Sequence, residues 1–148
     1  MKPGKYYVGD LCYVMDRDTW DEMHRLSFPS SDIRSWRQGR FLLQDGREYY
    51  KLNTAHGDGT FISSWSDVMN VDSGSIGCIA ADQVDLSDQL RCGAVCDFKT
   101  EFFPYRIGNG LIGEKYHGLL RFGDGLEIDT SKEARYFEIM QALRETRA

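Results

Sequence analysis

RFLLQDGREYYKLNT (residues 40–54) decides the fold class. Two runs rich in aromatic and aliphatic residues flank Asp45-Gly46. Asp-Gly supplies the positive φ angles of a two-residue type I′ turn, so the segment predicts an antiparallel hairpin. Upstream, KYYVGDLCYVM (5–15) reads as a strand, a Gly-Asp turn or bulge, and a second strand segment. DRDTWDEMHRL (16–26) reads as a short helix capped by Asp16 or Asp18. Its Trp20, Met23 and either His24 or Leu26 face inward. Downstream, FISSWSDVMNVDSGSIGCIAA (61–81) reads as short strands broken at Ser66-Asp67 and Ser73-Gly74. AVCDFKTEFF (94–103) alternates apolar and polar positions, as a strand does. Gly108-Asn109-Gly110 and Gly123-Asp124-Gly125 mark further turns.

The C-terminal stretch TSKEARYFEIMQALRETRA (130–148) has the pattern of a helix. Thr130 and Glu133 have capping-box spacing. Phe137, Met140 and Leu143, with Tyr136 beside them, make one apolar face. Strands and helices do not alternate, which excludes a doubly wound fold. The expected architecture is mainly β (α+β). It is an antiparallel meander or partly closed β-barrel with a short N-terminal helix and a C-terminal helix packed on it. Residues 1–148 are read as a single domain.

A chain of 148 residues buries about 70% of its unfolded surface and needs no disulfide or metal to fold. The net charge of −5 argues against broad nucleic-acid binding, which needs a basic footprint, and against docking on an anionic membrane. The N-terminus carries no apolar run of signal length. These features predict a cytoplasmic protein whose Cys12, Cys78, Cys92 and Cys96 are reduced.

Candidate chemistry lies in three places. GDLCY (9–13) sets Cys12 two residues from Asp10, whose charge raises a thiol pKa rather than lowering it. Cys12 is therefore expected in a core strand. Asp10, held at the Gly9 turn, is expected to cap amides of another loop or to reach a pocket. TAHGDGTF (54–61) combines His56, a base or hydrogen-bond donor, with Gly57, Asp58 and Gly59, whose backbone amides admit an anion closely. VDSGSIG (71–77) adds Asp72 and Ser73 but lacks the glycine spacing of a nucleophile elbow.

Cys92 and Cys96 have no second close pair, so neither a metal nor another cofactor is expected. Glu127 and Asp129 share a strand face that reads as solvated. The aromatics of the first half, with Arg40, Arg47 and Lys51, either line a pocket that stacks a base and holds a phosphate or fill the interior. Most of them must fill the interior.

GKYYVGDLCYV (4–14), TAHGDGTF (54–61), VDSGSIGCI (71–79) and GLLRFGDGLEIDT (118–130) together resemble a group of small bacterial and phage proteins to which no activity is attached. That group usually has Pro where this chain has Leu11, and Tyr where it has His56. The resemblance implies a shared fold and a place in prokaryote or phage genomes.

The reading is a cytoplasmic binding module, not an enzyme. It would take a small anionic ligand, a nucleotide included, or a protein partner, through Asp10, His56, Gly57, Asp58, Gly59, Asp72 and Ser73. A phage or bacterial accessory role, such as countering a defence pathway, fits this reading. One alternative is a hydrolase or transferase using Cys12 or His56 with Asp10, Asp58 or Asp72. Another is a structural protein that works through exposed sheet edges in an assembly.

Overall fold

The computed structural model of the chain describes residues 1–87, 91–107 and 118–146. Ten strands run through these residues: β1 (Gly4–Gly9), β2 (Gly39–Leu42), β3 (Glu48–Asn53), β4 (Gly59–Ile62), β5 (Val68–Val71), β6 (Ser75–Ala80), β7 (Gly93–Phe98), β8 (Tyr105–Arg106), β9 (Leu119–Arg121) and β10 (Glu127–Asp129). There are two α-helices, α1 (Arg17–Ser27) and α2 (Tyr136–Thr146). All pairings among the described strands are antiparallel, as the sequence predicts.

The main sheet has the order β2-β3-β6-β1-β7; a β8-β9-β10 meander and a β4-β5 hairpin accompany it. No closed barrel forms among the described residues. β1 enters between β6 and β7, a long-range pairing that no local signal encodes.

The main sheet is buried on both faces. One face carries Tyr6, Val8, Leu52, Ile76, Cys78, Cys96 and Phe98, covered by Phe61, Met69 and Val71 of the hairpin and Leu120, Leu126 and Ile128 of the meander. The other face carries Tyr7, Phe41, Tyr49 and Ile79, covered by Leu11, Val14 and α1, whose Met23 has no exposed surface. Two-sided burial explains why β1 and β6 read as near-continuous apolar runs. Cys96 lies inward in β7, as its alternation predicts, and burial pushes its thiol up to about 12.

Asp16 caps α1 through Oδ1 to the Thr19 N–H at 2.8 Å. The GDG at 123–125 is a type I′ turn, with both Asp124 (φ 52°) and Gly125 (φ 79°) in the left-handed region. The Asp45-Gly46 hairpin departs from expectation. Leu43 N–H bonds Arg47 O at 2.9 Å and Gly46 N–H bonds Leu43 O at 3.0 Å, while only Gly46 (φ 95°) is left-handed. This is a three-residue loop with a glycine bulge, stabilised where the Asp45 carboxylate accepts the Arg47 N–H at 3.0 Å.

Two further expectations are corrected. Residues 11–15 are not a second strand. Asp10 caps a single 3-10 turn over Leu11–Tyr13, so the chain leaves the sheet at Gly9. Thr130 and Glu133 do not form a capping box, because α2 begins six residues after Thr130. Thr130 is buried at the end of β10, and Glu133 accepts the Thr60 N–H at 3.3 Å instead. α2 lies against β5 with Ala142 buried, but Tyr136 and Phe137 are exposed rather than packed. Glu127 pairs with Arg121 on the outer face of β10 while Ile128 is buried behind it, the solvated carboxylate face expected there. The turn expected at Gly108-Asn109-Gly110 lies outside the described residues. No helix among the described residues is long and apolar enough to cross a membrane.

Candidate functional site

The sequence islands converge at one end of the main sheet. Asp10 is the joint, and it has no exposed surface. Its Oδ1 accepts from the Cys12 N–H (3.1 Å) and the Ser73 hydroxyl (2.7 Å); its Oδ2 accepts from the N–H groups of Asp72 (2.7 Å) and Ser73 (2.9 Å). Its own N–H donates to Cys92 O at 3.0 Å, and its carbonyl accepts the Tyr7 hydroxyl at 3.0 Å. One side chain thus ties the end of β1 to the β5–β6 turn. These four bonds fill the acceptor positions of a carboxylate. The Asp10 carboxylate is structural, with no acceptor position left for a ligand, and Ser73 is held in place by its bonds to it.

The next island is held the same way. Thr54 N–H bonds Gly74 O at 3.0 Å, and the Thr54 hydroxyl bonds Gly57 O at 2.5 Å. Ala55 N–H donates to Thr130 Oγ1 at 3.0 Å, and that hydroxyl donates to Gly118 O at 2.6 Å. Gly57 (φ 85°) and Gly74 (φ 72°) take left-handed conformations that suit glycine in these turns. Gly59 starts β4, where a Cβ would lie 2.7 Å from Glu133 Oε1. The three glycines serve turn geometry and close packing.

A surface cleft of about 470 Å³ opens beside this joint. Asp58 and Asp72 both line it, with Tyr13, Thr60, Asn70 and Glu133. Thr60 Oγ1 donates to Asn70 Oδ1 at 2.7 Å along its wall. Among the described residues no Lys, Arg or His lines it, and the carboxylates of Asp58, Asp72 and Glu133 give its described wall a negative potential that disfavours an anion. His56 is exposed on its loop and does not line the cleft. No cluster of three or more metal-ligating side chains occurs among the described residues.

Cys12 is half-buried in the 3-10 turn rather than in a core strand. Burial first, and the Asp10 carboxylate second, hold its thiol far above the ordinary range. This shift disfavours the thiolate, the opposite of the activation a catalytic cysteine requires. Alkylation by iodoacetamide at pH 8 is expected to label Cys12 at least about tenfold more slowly than free cysteine. A rate equal to that of free cysteine would restore the thiol as a nucleophile.

SFPSSDIRSWRQG (27–39), after α1, reads from sequence as a polar loop with Pro29 and several cap-type residues, the segment expected to move most. In the structure it is a closed surface loop, residues 28–36, whose ends meet where Arg37 N–H bonds Ser27 O at 2.9 Å. Inside it, Trp36 Nε1 donates to Ser30 O (3.1 Å), the Ser35 hydroxyl donates to Asp32 O (2.6 Å), and the Asp32 carboxylate accepts the Arg34 N–H (3.0 Å). These internal bonds give the loop its closed shape. It displays Ile33, 70% exposed, and Trp36, 49% exposed.

Beneath the loop lies Lys51, 4% exposed. Its ammonium donates to the Ser27 hydroxyl at 3.1 Å and lies 4.8 Å from the Phe28 ring centre and 5.9 Å from that of Trp20. Burial lowers its pKa, and Asp10 opposes that shift. Arg40 and Arg47 do not join it: Arg40 pairs with Glu48, and Arg47 with Asp45. The three cations therefore do not form a shared phosphate pocket. A lone charge in a strand alternation was the available sequence signal for Lys51, but charge alone does not report depth.

No protein-family model matches the chain, and neither the curated proteins nor the solved structures gave a significant match.

Proposed function

We propose that this chain is a non-enzymatic binding module for a protein partner and that the loop at 28–36 makes the contact. One observation carries the reading: a loop fixed by its own hydrogen bonds holds Ile33 and Trp36 out in solvent. An exposed apolar pair costs solubility, and a pre-ordered tryptophan is the kind of anchor that dominates protein interfaces. The protein-partner reading is favoured over the small-anion reading because the cleft at the glycine motifs presents carboxylates. The resemblance to small bacterial and phage proteins and the reduced-thiol composition support a bacterial cytoplasm and an accessory role there.

The test is comparative capture from bacterial lysate with the full chain. The wild type should retain a defined protein, and the Ile33→Ser/Trp36→Ala double variant should lose it by at least about tenfold. An Asp58→Asn/Asp72→Asn variant should retain it. Equal capture by all three chains sinks the reading, and a nucleotide raising the melting temperature at millimolar concentration would favour the small-ligand alternative instead.

A further inference from the structure

The position of Lys51 is costly. It stands on β3 in the layer between the main sheet and α1, and no carboxylate forms an ion pair with it among the described residues. Its ammonium donates to a neutral hydroxyl, that of the fully buried Ser27. A buried cation so weakly compensated is usually less stabilising than an apolar residue of similar shape. The site nevertheless suits a cation in two ways. Ser27 is the last residue of α1, where the helix carbonyls point and a positive charge is favoured. The Phe28 ring presents its electron-rich face to the ammonium.

Phe28 connects this charge to the surface. Its ring meets Trp36 edge to face, with centroids 5.1 Å apart and planes at 87°, and meets His24 at 4.8 Å. The ammonium, Phe28 and Trp36 thus form a stack running from under α1 to the exposed tip of the loop.

We propose that Lys51 is a positioning residue for the loop: its buried ammonium seats Phe28, and through Phe28 it fixes the presented orientation of Trp36. The role rests on the loop being the recognition surface. It explains why a charge occupies a place where methionine would pack as well and cost less.

The test replaces the charge while keeping the shape, with the full chain carrying 5-fluorotryptophan. The chain has three tryptophans, and a Trp36→Phe variant assigns the Trp36 fluorine resonance. In Lys51→Met the melting temperature should hold or rise. The Trp36 resonance should shift or broaden, and the Arg37 amide, which closes the loop, should exchange about tenfold faster. Exchange at the β1 and β6 amides should not change. Lys51→Arg keeps a cation and should keep the wild-type Trp36 resonance.

An unchanged Trp36 resonance with Arg37 exchange within about twofold of wild type overturns the proposal. So does a melting temperature that falls together with the loop in Lys51→Met, which would make Lys51 an ordinary packing residue. Failure of the recognition reading shows elsewhere, as unchanged capture by the Ile33→Ser/Trp36→Ala chain, and leaves these measurements as they stand.

Discussion

Replacing Asp10 with alanine is expected to destabilise the protein by about 3–5 kcal/mol, a fall in melting temperature on the order of 10 °C. The reason is the asymmetry of buried hydrogen bonds. Alanine leaves the N–H groups of Cys12, Asp72 and Ser73 and the Ser73 hydroxyl without their acceptor. Asparagine should do nearly as badly. Its amide turns two donors toward donors, where the carboxylate offered only acceptors. Calorimetry on the two variants measures this directly. A melting temperature within about 2 °C of wild type would mean that the β5–β6 turn is held without Asp10. Asp58→Asn and Asp72→Asn supply the contrast, since both side chains stand exposed at the cleft and should leave the transition nearly unmoved.

The second large effect is expected at Gly9, one residue earlier. Gly9 pairs with Gly77 on β6 and with Gly93 on β7, so three glycines form a row across three strands. A Cβ at Gly93 would lie 2.6 Å from the Tyr7 ring, and one at Gly77 would overlap Leu11. The row is the groove in which Tyr7 and Leu11 lie flat against the sheet. At Gly9 itself a Cβ would meet backbone, the Cys92 carbonyl at 2.5 Å and the Gly93 Cα. Backbone held in a ladder cannot step aside as a side chain end can. Gly9→Ala is expected to cost about 3 kcal/mol or more, beyond ordinary overpacking. The urea midpoint should fall in proportion, with the m-value unchanged. An unshifted midpoint would show that the β1–β7 ladder yields at that point.

Local chemistry was legible where its partners are also local. The Asp16 cap, the inward Met23, the Gly123-Asp124-Gly125 turn and the alternation of β7 each depend on residues within a few positions. Legibility ended where a residue's partner is remote. Thr130 has cap chemistry and capping spacing, yet its hydroxyl is taken by Gly118 O and the Ala55 N–H, so α2 starts later. The Asp45-Gly46 pair signals a hairpin correctly but not its turn type, because the register of β2 on β3 sets the loop length. At the site, the Gly9-Asp10 stretch itself predicts that Asp10 caps amides of another loop or reaches a pocket. That all four donors would leave nothing for a ligand depends on the β5–β6 turn arriving from sixty residues away.

The sequence by itself determined the class of this protein: antiparallel, β-rich, with a helix at each end of the chain and acidic overall. Periodicity and turn chemistry are properties of neighbouring residues, and the burial they demand is nearly independent of which strands meet. Only the tertiary structure decided that β1 enters between β6 and β7, that the glycines line up across three strands, and that Lys51 sits beneath an exposed tryptophan. Those facts come from long-range pairing, in which each residue's role is set by what arrives opposite it. A glycine, an aspartate and a lysine have no such role until the ladder is closed.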